Sequence, residues 1–87
     1  MMIEFKKRPG HVRLLTYLYQ HPEQEDYYYH IAITLVMSKG QVYTYLTELE
    51  ELGFLTSRKE FFEGSKKTKK TFTIVEDKLE EIKKFIE

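Results

Sequence analysis

Residues 37–55 read MSKGQVYTYLTELEELGFL, and the fold turns on them. Val42, Leu46 and Leu49 recur at the spacing of one helical face. At 100° per residue, Gly40, Thr44, Thr47 and Glu51 fall opposite, with Gln41, Tyr43 and Glu48 at the margins and Tyr45 and Leu52 flanking the apolar row. Ser38 stands where a hydroxyl caps a first turn, and Gly53 stands where a glycine ends a helix. The stretch predicts a helix over 39–52. Its underside is apolar, the outward face of its first half is polar with one lysine, and its second half carries Glu48, Glu50 and Glu51.

The flanking sequence supplies partners for that underside. Pro9 and Gly10 open a first helix, since proline is tolerated in a first turn. In it Val12, Leu15 and Tyr19 make one apolar row, and Leu14 and Leu18 an adjacent one, a stripe wider than one core face needs. His21-Pro22 ends it. EQED reads as a polar loop, with Asp26 as N-cap of a second helix over about residues 27–36. There Tyr28, Ile31, Ala32 and Leu35 share a face. After Gly53 the period changes. LTSRKEFF and TFTIV read as strands around the turn EGSKK, with Phe72 and Ile74 on one face. Asp77 is placed to cap a last helix, where Leu79, Ile82, Phe85 and Ile86 align. The expected fold class is α+β, mostly α: three helices, a two-stranded β-hairpin wing and a C-terminal helix, which is the order of a winged helix-turn-helix.

The bulk properties set limits. Eighty-seven residues make one domain, 1–87, with an N-terminal arm over 1–9 and the C-terminal helix over 76–87 as a dimerisation element. A chain this short buries only about 60–65% of its unfolded surface, so support from a second subunit is expected. There is no cysteine, which excludes disulfides, thiolate metal sites and cysteine catalysis. No run is apolar enough to span a membrane, and MMIEFKKRPG does not resemble a signal peptide; a cytoplasmic location is expected. His11, His21 and His30 lack metal-ligand spacing, no triad or phosphate loop is present, and neither an enzyme nor a cofactor is expected. The formal net charge is zero, but it is segregated. Residues 1–13 and 56–75 are basic, while 20–30, 46–52 and 76–87 are acidic.

Beyond this reading, HIAITLVMSKGQVYTYLTELEELGFL resembles the core of bacterial and archaeal winged-helix regulators. The resemblance rests on Ile31, Ala32, Ser38, Val42, Leu46, Leu49, Glu50, Gly53 and Leu55, and covers about residues 10–75. The tyrosine after Val42 and the later Lys-Lys-Thr-Phe-Thr-Ile resemble the PadR-like branch, with MarR-like regulators close behind; small stand-alone proteins of this kind are frequent among archaeal regulators and archaeal viruses. In one departure, the turn Val36-Met37 lacks the glycine usual there.

The resemblance implies a dimeric, double-stranded DNA-binding transcriptional regulator, and the small size of the chain suggests a repressor by occupancy. Helix 39–52 would read the major groove and the wing over 58–72 would hold phosphates or the minor groove. The DNA-binding residues expected on that basis are Ser38, Lys39, Gly40, Gln41, Tyr43, Thr44 and Thr47 on the helix, with Arg58, Lys66, Lys67, Lys69 and Lys70 on the wing. Gln41 has the donor–acceptor pair that adenine needs, and the Thr44 methyl suits thymine. Lys6, Lys7, Arg8 and Arg13 either flank the DNA or keep the arm soluble. Glu50, near the inward margin, is expected to pair with a basic residue. The seven tyrosines read as core or interface residues rather than as a small-molecule effector pocket. The rival reading is a winged-helix protein–protein assembly module, which zero net charge and three acidic segments would suit.

Overall fold

In the computed structural model, residues 6–21, 26–61 and 68–87 are described. The elements run α1 (Pro9–Tyr19), β1 (Asp26–Tyr27), α2 (Tyr28–Leu35), α3 (Lys39–Glu51), β2 (Leu55–Phe61), β3 (Thr68–Ile74), a 3-10 turn (Glu76–Lys78) and α4 (Leu79–Ile86). The wing's turn, with Ser65, Lys66 and Lys67, lies outside the described residues.

The apolar rows meet as their periods require. Leu14, Leu15 and Leu18 of α1, Ile31 and Ala32 of α2, and Val42, Leu46 and Leu49 of α3 are buried together with Leu55, Phe72, Ile74 and Ile82. Ala32, being small, sits where α2 packs among its neighbours. Gly10 serves a still closer approach, because a Cβ there would lie 2.3 Å from the Tyr45 ring of α3. Helix α4 lays Ile82 on this core with Leu79, Phe85 and Ile86 partly buried beside it. The stripes of α1 and α4 are therefore covered largely within one chain, where the sequence suggested a second subunit would be needed.

The ends of α3 follow expectation. The Ser38 Oγ accepts the Gln41 N–H at 3.2 Å. Gly53 takes φ 87°, with its N–H donating to Glu50 O and that of Phe54 to Leu49 O. This is the paired closure of a glycine-terminated helix.

The two-stranded hairpin forms as expected, and β1 extends it to a three-stranded antiparallel sheet in the order β1-β3-β2. Two expectations need correction. Asp26 does not cap α2: it belongs to β1, paired with Phe72, and the N-cap is Tyr27, without a side-chain cap bond. Pairing satisfies main-chain groups along the open edge of β3. Asp77 does not cap α4 either. The Val75 N–H donates to Phe54 O and the Lys78 N–H to Val75 O, which draws residues 76–78 into the 3-10 turn and makes Lys78 the N-cap.

The turn without glycine is made by Val36 at φ 54°, ψ 54°, a left-handed conformation that a β-branched residue rarely adopts. It is held by the same closure as at Gly53, with Val36 N–H donating to Ile33 O and Met37 N–H to Ala32 O. Arg13 Nη2 adds a bond to Leu35 O at 2.6 Å. Lys7 Nζ likewise donates to Phe85 O. Thus two of the four N-terminal cations cover carbonyl ends of helices, where the dipole favours positive charge. Left-handed geometry costs a non-glycine residue about 1–2 kcal/mol, and Val36 is 89% exposed, so truncating it loses little burial. Val36→Gly is expected to raise stability by roughly 0.5–1 kcal/mol after the entropy of glycine is deducted, as a higher urea midpoint with an unchanged slope.

Candidate nucleic-acid interface

With its underside locked, α3 turns its first half outward. Lys39, Gly40, Gln41 and Thr44 are exposed, and a Cβ placed on Gly40 would meet nothing within 4 Å, so no packing demands a glycine there. Ser38 spends its hydroxyl on the cap. Thr47 turns its hydroxyl back to donate to Tyr43 O at 2.8 Å and is half-buried.

The wing strand reaches this surface by strand parity. Ile74, Phe72 and Lys70 point to one face of β3, so the row that begins in the core ends in a lysine beside α3. Lys70 Nζ lies 3.5 Å from the Tyr43 hydroxyl and 5.1 Å from the centre of its ring. Lys69 is on the opposite face, over Tyr27 at 5.2 Å. Arg58 pairs across with Thr71, so it shares the face of Lys69 rather than that of Lys70. Its Nη2 meets Glu60 Oε1 at 2.6 Å. The structure thus brings Lys39, Gly40, Gln41, Tyr43, Thr44 and Lys70 together, and places Arg58 apart from them.

Tyr27, Tyr28 and Tyr29, absent from the sequence-based site, complete it. Tyr27 and Tyr29 stack at 4.9 Å. Tyr28 stands edge-on to Tyr29 at 4.6 Å and to Tyr43 at 5.2 Å. Lys39 Nζ lies over Tyr29 at 4.3 Å. Tyr28, Tyr29, Lys39, Gly40 and Tyr43 line an open cleft of about 330 Å³. The available signal was the run of three tyrosines where a helix face has use for one.

Packing of the rings shifts their protonation. The Tyr28 phenol is pushed up to about 12, first by burial, then by its hydrogen bond with Tyr29 and the neighbouring phenols. Burial, followed by Tyr29, also raises Tyr27. Because the folded value exceeds the unfolded one, near 10, the associated stability is present in full below pH 10 and is lost as pH rises toward 12. An NMR titration of the tyrosine rings should show Tyr28 ionising near pH 12, with stability falling over that window.

In the second half of α3, Glu48 and Glu50 turn toward the body, while Glu51 is exposed. His11 is fully buried, and its Nδ1 accepts the Arg8 N–H at 3.0 Å. In the neutral ring the proton then sits on Nε2, which lies 3.3 Å from Glu48 Oε1. Glu50 accepts from the Ser57 hydroxyl, not from the basic residue expected, because the position it faces on β2 is a serine.

The chain has the winged helix-turn-helix fold. No protein-family model and no curated protein matches it, but solved structures do. A possible transcriptional regulator from Methanosarcina mazei Go1 superimposes with a TM-score of 0.78 at 13% identity, over 99% of this chain and 85% of that one. A transcriptional regulator homologue from Pyrococcus horikoshii OT3 gives 0.72 at 18%, over 91% and 74%. MepR from a multidrug-resistant S. aureus isolate gives 0.66 at 18%, over 90% of this chain and 54% of its own length. Identities this low establish a shared fold. Among the described residues no helix is long and apolar enough to cross a membrane.

Proposed function

We propose that the protein is a double-stranded DNA-binding transcriptional regulator. It reads the major groove with the first half of α3 and holds phosphates with the wing lysines. The observation that carries this reading is the convergence of Lys70 and the exposed turn Lys39–Thr44 on one surface. Its likeness to a possible transcriptional regulator from Methanosarcina mazei and a transcriptional regulator homologue from Pyrococcus horikoshii supports it. Gln41 and Thr44 supply base contacts, and Lys39, Lys69 and Lys70, continued in the sequence by Lys66 and Lys67, supply phosphate contacts. A two-fold dimer sets its α3 helices in successive major grooves about 34 Å apart, repressing by occupancy.

The test is binding of the whole chain to a mixed-sequence duplex across a salt series, with sedimentation to give the oligomeric state. Binding should weaken linearly on logarithmic axes, with a slope of about −0.9 per phosphate neutralised. No binding at low salt, or a flat response, overturns the reading. One observation favours the assembly-module alternative: Ile33 and Val36 are 72% and 89% exposed on α2 and at its end, an apolar pair that a protein partner would cover.

A further inference from the structure

We propose that the tyrosine-walled cleft between α2 and α3 is the seat of one sugar–phosphate unit of the DNA backbone, with Lys39 neutralising the phosphate and Tyr29 donating to it. This rests on the DNA-binding reading and gives it a third anchoring element besides α3 and the wing.

The cleft is lined by three tyrosines, one lysine and one glycine, and none of these is acidic. The chemistry is thus a cation and hydroxyl donors set in aromatic walls. The faces of the rings are already engaged. Tyr29 stacks on Tyr27 and carries Lys39 on its ring, while Tyr28 meets Tyr27, Tyr29 and Tyr43 at steep angles. A flat base would have to displace these contacts. A pucker-shaped deoxyribose against ring edges, and a phosphate accepting from the Tyr29 hydroxyl, would not. Phenols are good donors to phosphate while protonated. The open space over Gly40 lets a strand approach the main chain of α3. Position agrees with chemistry: Tyr43 is shared between the cleft and Lys70 of the wing, so a strand lying in the cleft continues onto β3.

The experiment measures duplex affinity over a salt series for the whole chain carrying Lys39→Gln, Tyr29→Phe or Lys70→Gln, each checked for unchanged thermal unfolding. Lys39→Gln is expected to shrink the salt slope by about 0.9. Tyr29→Phe, which keeps the ring packing, is expected to weaken binding about tenfold with a nearly unchanged slope. If Lys39→Gln and Tyr29→Phe both bind as the parent does while Lys70→Gln loses slope, the cleft is not a backbone seat and the DNA-binding reading stands. If Lys39→Gln loses affinity equally at every salt, the lysine does not meet a phosphate and the proposal falls. A parent chain that binds no duplex at low salt removes both readings.

Discussion

Phe72→Ala is expected to cost about 3–5 kcal/mol of folding stability, a large share of the roughly 5–15 kcal/mol typical of a domain. Phe72 is fully buried on the central strand. It pairs with Asp26 on one side and Ser57 on the other, so its ring anchors the whole sheet to the helices. Lys70 Nζ also lies 5.3 Å from the centre of that ring. The loss should therefore reach the wing lysine as well as the core. Urea unfolding followed by circular dichroism measures it. Phe72→Leu, which refills most of the volume, should recover the greater part, and a cost below about 1 kcal/mol for alanine would mean the sheet is not anchored through this residue.

The second large effect concerns binding. Replacing Lys69 and Lys70 together by glutamine should weaken duplex binding for all sequences alike. The salt slope should flatten by about 0.9 for each phosphate that is no longer neutralised. Gln41→Ala should behave in the opposite manner. It should leave the slope intact and remove about 1–3 kcal/mol of discrimination at one base position. The contrast separates positioning from reading in one set of titrations. Equal loss from both variants would mean that the wing and α3 do not divide these tasks.

Much of this was legible from local pattern. Val42, Leu46 and Leu49 declared the underside of α3, Ser38 and Gly53 marked its ends, and the change of period after Gly53 announced the hairpin. What escaped was non-local. Two residues become β1 only because β3 leaves an edge beside them, and that edge claims Asp26 before α2 can use it as a cap. The pairing of His11 with Glu48 spans 37 positions, and Lys7 reaches Phe85 across 78. Val36 shows another limit: its left-handed turn is imposed by helices on both sides, against its own preference. From sequence the tyrosine run reads as core or interface, because a tyrosine buries its ring and keeps its hydroxyl wet. Only the fold shows α3 and β3 delivering lysines to its rings.

The ring cluster also has an optical consequence. The chain has seven tyrosines and no tryptophan, so phenol rings dominate its near-ultraviolet signal. Four of them sit within a chain of ring separations from 4.6 to 5.3 Å, close enough for their transition dipoles to couple strongly. The surface formed by α2, α3 and β3 thus carries an intrinsic chromophore array, and the sign and intensity of its dichroic band would register any rearrangement there without a label.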